Sequence, residues 1–97
     1  MLNKLAQEIT AWRVNKGFIT SKDNMLGKLT LVVTECSEAA EDVRHGDWEH
    51  FGEEIADTMI HLLDICGTLQ INIEFEIEKK MRRNMERPYL HGTTSRA

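Results

Sequence analysis

Apolar residues recur along this chain mostly every three or four positions, and the strict alternation that is typical of strands is nearly absent. The pattern predicts four helices and no sheet. Caps and breakers place these helices from about Leu2 to Lys16, from a cap at Ser21 or Asp23 to about Arg44, from a cap at Asp47 to near Gly67, and from a cap at Asn72 to a point before Pro88. We therefore expect one all-α domain over residues 1–97, with an irregular tail over about 89–97.

The third predicted helix is apolar around most of its circumference, over about 220°. A chain of 97 residues buries only about 60 to 65% of the surface that its unfolded form exposes. Its three other helices can hardly cover such a helix on all sides. These two features predict a homo-oligomer, a dimer or a tetramer. In the first helix, Leu2, Leu5, Ile9 and Trp12 are expected to point inward.

Composition limits the classes of binding partner and the cellular location that the protein is expected to have. The formal net charge is −4, and basic residues gather only near the C-terminus, which argues against a nucleic-acid-binding surface. No run of 18 apolar residues and no leader pattern is present, so we expect no membrane partner and a cytoplasmic setting. Cys36 and Cys66 lie in apolar runs without a CxxC motif, which predicts two reduced core thiols rather than a disulfide or a metal pair.

Acidic residues interrupt the apolar faces of the two central helices. They are Glu35, Glu38 and Asp42 in the second helix, and Glu54, Asp57 and Asp64 in the third, where His61 lies on the same strip. The strip on the third helix is only about 80° wide. A helix that is apolar elsewhere is packed on several sides, so these carboxylates need cations or protons.

Two explanations are open. The acids could pair internally with Lys or Arg, or two acidic pairs, Glu35 with Glu38 and Glu54 with Asp57, could face each other and bind a divalent metal. Oxygen ligands without a Cys or His majority favour Mg²⁺ or Mn²⁺ over Zn²⁺. A ferritin-like di-iron site is disfavoured because Glu-x-x-His occurs on neither helix. His61 could support the metal or hydrogen-bond to a neighbouring acid.

The fourth predicted helix carries Lys80, Asn84 and Arg87 on one face, at positions i, i+4 and i+7. Such a face can bind phosphate, since Arg offers a planar fork, Lys a point charge and Asn an amide donor. It could also be a solvated surface that balances nearby glutamates. An acidic metal cluster and a basic face in one small chain together suit a metal-complexed polyphosphate.

These motifs resemble a known family. The pairs Glu35-x-x-Glu38 and Glu54-x-x-Asp57, followed by Lys80, Asn84 and Arg87 and then by "RPYLHG", are similar to those of the MazG-like all-α nucleoside triphosphate pyrophosphohydrolases. The segment "AWRVNKGF" extends the resemblance over nearly the whole chain. The resemblance implies a four-helix MazG-like bundle completed by oligomerisation, as a dimer or a dimer of dimers.

The resemblance also implies an activity and assigns residues to it. The activity is Mg²⁺-dependent cleavage of a nucleoside triphosphate between the α and β phosphates, in nucleotide-pool housekeeping, with Mn²⁺ as a substitute. The implied metal-binding and catalytic residues are Glu35, Glu38, Glu54 and Asp57, and the implied substrate-binding residues are Lys80, Asn84, Arg87, Tyr89, His91 and Trp12. Trp12 could stack on the base or belong to the core. The competing function is a non-catalytic helical module that senses a nucleotide or assembles with a partner.

Overall fold

All four predicted helices are present in the computed structural model, which describes residues 1–87. They are α1 (Leu2–Asn15), α2 (Met25–His45), α3 (Trp48–Leu69) and α4 (Ile73–Glu86), with a short 3-10 helix, Lys22–Asn24, before α2. No strand occurs among the described residues. The all-α prediction is confirmed.

The helix boundaries follow from local chemistry. At the start of α3 the Asp47 side chain accepts a hydrogen bond from the His50 amide, and at the start of α4 the Asn72 side chain accepts one from Phe75. Both caps are the predicted ones. Arg87 follows α4 with an extended backbone, as expected for a residue that precedes a proline.

A tight turn makes α2 and α3 an antiparallel hairpin. Gly46 ends α2 in the left-handed conformation at φ 70°, and Asp47 caps α3 directly afterwards. The hairpin sets the face of α2 that carries Glu35 and Glu38 against the first half of α3. This hairpin positions the candidate site.

The apolar core lies where α1 crosses the second half of α3. Ala6, Leu63 and Cys66 are buried there, and Ile9 and Ile73 pack around them. The crossing is close, because a Cβ atom at Gly67 would overlap Thr10 Oγ1 and the Ala6 carbonyl. Small residues at the contact let the two backbones approach each other.

The observed burial of side chains corrects two sequence expectations. Of the α1 residues predicted to point inward, Leu5 and Trp12 are exposed, and Ala6 and Arg13 are buried instead. The closest contact is made by the small residue Ala6, and Arg13 is buried because it pairs with Asp64 of α3. Both cysteines are free, but only Cys66 is buried, so the prediction of a core thiol is wrong for Cys36, which is exposed on α2.

The single chain leaves much apolar surface uncovered. α4 touches the rest of the chain mainly through its first turn, where Asn3 of α1 donates hydrogen bonds to Asn72 and Glu74. Beyond that turn its apolar side chains Ile77, Met81 and Met85 are exposed. Among residues 1–87, no helix has the length and apolar character needed to cross a membrane.

Candidate metal-binding site

Three of the predicted acids meet on the α2–α3 hairpin. Glu35, Glu38 and Glu54 each offer a carboxylate oxygen, and these oxygens lie within 4.8 Å of one another. Glu54 is 6% exposed, Glu35 is half-buried and Glu38 is exposed. The site is therefore a buried carboxylate on α3 facing two more accessible ones on α2.

The electrostatics of the cluster centre on Glu54. Its pKa is raised to about 7, first by a hydrogen bond with the Glu38 carboxylate and then by burial and by the charges of Glu35 and Glu38. Glu54 Oε2 is buried and has no hydrogen-bond partner. Like charges in close proximity favour a shared proton or a bound cation.

These features fit a divalent metal ion better than internal ion pairing. None of the three acids forms an ion pair within residues 1–87, so the internal-pairing explanation fails for this cluster. The buried oxygen of Glu54 is an acceptor without a hydrogen-bond partner, and hard oxygen donors of this kind suit a Mg²⁺- or Mn²⁺-type ion. Glu35, Glu38 and Glu54 could hold such an ion.

The fourth predicted ligand, Asp57, lies one turn beyond Glu54 on α3. It is exposed and is not a member of the three-acid group. Its assignment as a ligand stays a prediction. His61, one turn further on, is half-buried and forms no side-chain hydrogen bond with the described residues, so the expected bond to a neighbouring acid is absent there.

The basic residues do not meet the acids within this part of the chain. Lys80 and Asn84 lie on α4 and Arg87 directly follows it, and all three are exposed. None makes a side-chain hydrogen bond or an ion pair with another residue in the range 1–87. Tyr89 and His91 lie outside the described residues.

Trp12 has the accessibility that a base-stacking residue needs. It is 52% exposed on α1, so it is not a core tryptophan in this chain. No aromatic or charged side chain of residues 1–87 packs on its ring. Its role in substrate binding stays a prediction.

The acid at the other end of the strip on α3 has a different environment. Asp64 is 3% exposed, and its carboxylate accepts hydrogen bonds from Arg13 Nε at 3.0 Å and from Thr20 Oγ1 at 2.6 Å. Thr10 Oγ1 lies 3.0 Å from its second oxygen. Internal pairing is therefore correct for Asp64, which joins α1 and the following loop to α3.

Sequence reasoning missed one pair on the hairpin. His50 Nδ1 lies 2.8 Å from Oδ1 of the buried Asp42. His50 lies four residues before Glu54 on α3, and Asp42 lies four residues after Glu38 on α2. The Asp42 hydrogen bond, followed by the charge of Asp42, raises the pKa of His50. The equal four-residue steps on both helices would have revealed this pair once an antiparallel hairpin was assumed.

Comparison with known proteins supports the same interpretation of the hairpin. Searches of curated proteins and of solved structures give no match. A family model, described as the MazG nucleotide pyrophosphohydrolase domain, matches residues 24–88, a range that contains all of α2, α3 and α4. On this match and on the helical fold, the chain belongs to the MazG nucleotide pyrophosphohydrolase family.

Proposed function

We propose that this protein hydrolyses nucleoside triphosphates or deoxynucleoside triphosphates between the α and β phosphates, giving a nucleoside monophosphate and pyrophosphate, with Mg²⁺ as the cofactor and Mn²⁺ as a substitute. The observation that carries the proposal is the cluster of Glu35, Glu38 and Glu54, in which a buried oxygen has no partner. A role in nucleotide-pool housekeeping follows from that reaction.

Within the proposal, Glu35, Glu38, Glu54 and Asp57 hold the metal ion. When bound, Mg²⁺ neutralises phosphate charge and makes a water molecule easier to ionise. In the metal-free protein the pKa of Glu54 is about 7, so binding of the ion would displace a proton from this carboxylate near neutral pH.

The basic residues of α4 would hold the other end of the substrate. Arg87 can bind two phosphate oxygens through its planar fork, Lys80 adds a positive charge, and the Asn84 amide can donate to phosphate or sugar. Tyr89 and His91 are proposed to lie on the substrate side. Trp12, half exposed, offers a face for base stacking.

We also propose that the active form is a homo-oligomer. Exposed apolar residues on α2 and α4 support it, as does an apolar groove of about 260 Å³ that is lined by residues from all four helices, among them Leu2, Leu29, Met59 and Ile77. Light scattering at micromolar concentration tests this. A dimer or a tetramer is expected, whereas a monomer that still turns over substrate would contradict the proposal.

Phosphorus NMR of the reaction mixture tests the activity. With Mg²⁺ and a panel of nucleoside triphosphates, the monophosphate and pyrophosphate should appear together as primary products. Release of orthophosphate with a diphosphate would contradict cleavage between the α and β phosphates. If the nucleotides are bound but none is hydrolysed with either Mg²⁺ or Mn²⁺, the result would favour the alternative function of a non-catalytic nucleotide-sensing or interaction module.

A further inference from the structure

The pair formed by Asp42 and His50 continues the acidic cluster by one helical turn. Asp42 lies four residues after Glu38 on α2, and His50 lies four residues before Glu54 on α3. Each step advances about 6 Å along its helix. On an antiparallel hairpin, the contact of Asp42 with His50 is therefore the next contact after that of Glu38 with Glu54, toward the turn at Gly46.

The geometry of the pair fixes one ring nitrogen and leaves the other free. A carboxylate only accepts hydrogen bonds, so the 2.8 Å separation assigns a proton to His50 Nδ1. Asp42 is buried, whereas about half of the His50 side chain is exposed. No side chain within residues 1–87 hydrogen-bonds to Nε2, which is left available to a ligand.

The charge balance of the hairpin indicates which ligand would use it. The cluster beside His50 consists of three acids, which repel an anionic polyphosphate wherever the metal charge does not compensate them. Lys80, Asn84 and Arg87 form no side-chain hydrogen bond or ion pair with this hairpin within residues 1–87. Arg44, the nearest arginine in sequence, is paired with Glu41. His50, which lies within 4.8 Å of the carboxylates of Asp42 and Asp47, is thus a basic side chain whose charge acts on Glu54 of the cluster.

We propose that His50, oriented by Asp42, binds a phosphate oxygen of the metal-complexed substrate through Nε2–H. Successive phosphates of a polyphosphate are closer together than one helical turn, so a chain anchored at the three acids and running toward Gly46 comes within reach of the ring. Donation from Nε2 while Nδ1 bonds to Asp42 needs the imidazolium form. The raised pKa of His50, caused chiefly by its hydrogen bond to Asp42, favours that form. This inference rests on the proposed function.

The test compares His50→Ala and His50→Gln with the parent protein, by calorimetry at one fixed pH. The probes are Mn²⁺ alone and inorganic pyrophosphate with saturating Mg²⁺, and KM is measured for a nucleoside triphosphate that the parent hydrolyses. His50→Ala keeps the backbone amide that Asp47 caps, so the start of α3 is retained. His45→Ala is the matched control, because His45 is exposed and forms no side-chain hydrogen bond with the described residues.

We expect opposite effects on the two ligands. His50→Ala should weaken pyrophosphate binding and raise KM by about 10-fold, while Mn²⁺ binds equally well or up to about 3-fold more tightly, because a positive charge beside the acids has been removed. His50→Gln, which retains an N–H donor, should recover part of the loss. A purely structural role would weaken both ligands together, and thermal melting identifies a variant that fails to fold.

Three results would overturn the inference. If the parent hydrolyses the nucleoside triphosphate and both variants show unchanged pyrophosphate binding and KM, the inference is rejected and the proposed function is left intact. Loss of one equivalent of Mn²⁺ in His50→Ala would instead assign Asp42, Asp47 and His50 to a second metal site. A parent that neither hydrolyses nucleotides nor binds pyrophosphate would reject both the proposed function and this inference.

Discussion

Glu54 and Asp64 lie on one polar strip of α3, both are almost fully buried, and their surroundings are opposite. Asp64 has Arg13 and Thr20 as donors and Thr10 and Thr68 close to its second oxygen. Glu54 has two other carboxylates as neighbours and one buried oxygen without a partner. The first arrangement satisfies a charge inside the fold, and the second leaves a charge to be satisfied by something that binds.

The comparison shows that burial alone does not identify a functional acid. A buried carboxylate with a complete set of donors stabilises the folded state as long as the set stays intact. A buried carboxylate surrounded by like charges destabilises the folded state unless a cation or a proton joins it. The two ends of α3 can therefore be distinguished by experiments on stability and on binding.

The largest expected effect is on stability, at the Asp64 end. Asp64→Ala leaves the Arg13 guanidinium, whose side chain is 11% exposed, without its carboxylate. Loss of one partner from a buried ion pair costs about 3–5 kcal/mol of unfolding free energy. Urea unfolding at fixed protein concentration measures this cost.

Glu41→Ala is the control for Asp64→Ala, because Glu41 pairs with Arg44 on the exposed side of α2. An exposed ion pair contributes only about 0–1 kcal/mol. Equal losses from Asp64→Ala and Glu41→Ala would mean that the buried network does not hold α1 on α3.

The second effect is on activity, at the Glu54 end. Glu54→Gln removes a metal ligand, so kcat/KM should fall by roughly 100-fold or more. In metal-free buffer its melting temperature should stay level or rise, because one of three clustered charges is lost. The neighbouring Glu53, which is exposed and outside the cluster, supplies the control Glu53→Gln. Glu54→Gln melting far below the parent without metal would indicate that Glu54 is structural, as Asp64 is.

Glu38→Gln and Asp57→Asn test which of the four predicted acids belong to the metal site. Glu38 belongs to the three-acid group and Asp57 does not. We expect both changes to abolish turnover, because the proposed function needs all four acids, with metal-free melting temperatures that stay level or rise. An Asp57→Asn variant with full activity would restrict the site to the three acids that the hairpin brings together.

The basic residues of α4 give a smaller effect. Arg87→Lys keeps the charge but removes the planar fork, so kcat/KM should fall by about 10-fold, equivalent to roughly 1.4 kcal/mol, with little change in stability. Lys80→Ala should act in the same direction. Arg83→Lys is the control, because Arg83 is exposed on α4, four residues before Arg87. Equal kinetics for Arg83→Lys and Arg87→Lys would remove Arg87 from the phosphate site.

The sequence predicted the features that depend on local chemistry. The caps at Asp47 and Asn72 and the end of α4 before Pro88 are correct because each depends on a few adjacent residues. Helical spacing and one tight turn also bring Glu35, Glu38 and Glu54 together, but not the fourth predicted acid, Asp57. The resemblance to the MazG-like family depended on these acidic pairs together with the residues that follow them, such as "RPYLHG", and the family-model match confirms it.

Other features depend on how the helices pack, and the sequence could not provide them. The partners of Asp64 come from α1 and from the loop after it, up to 54 residues away in the chain. The inward placement of Leu5 and Trp12 on α1 was wrong, because Gly67 allows a close crossing through Ala6, which helical periodicity does not reveal. The Asp42 and His50 pair is an intermediate case, because its four-residue spacing from the cluster is visible in the sequence but its contact depends on the register between α2 and α3.

The smallest expected effect is a pH dependence of the unfolding free energy that is caused by the proton on Glu54. The pKa of Glu54 is about 7 in the folded protein and near the ordinary 4.5 when unfolded, so between these values the folded state binds more protons. The unfolding free energy of the metal-free protein should therefore fall as pH rises through this window, because stability falls with pH wherever the folded state holds the extra proton. The contribution of Glu54 is fully present below about 4.5 and lost above about 7.

Thermal melts of the parent and of Glu54→Gln, with a chelator, across this pH range measure the effect as a difference. His50, whose pKa is also raised, adds a change of the same sign at higher pH, but it is present in both proteins and largely cancels. Saturating Mg²⁺ should reverse the sign for the parent, because the metal binds the deprotonated carboxylate and competes with the proton. If the melting temperatures of the parent and of Glu54→Gln change equally with pH in the presence of a chelator, the proton is not held at Glu54. The two ends of α3 would then not differ in the way proposed.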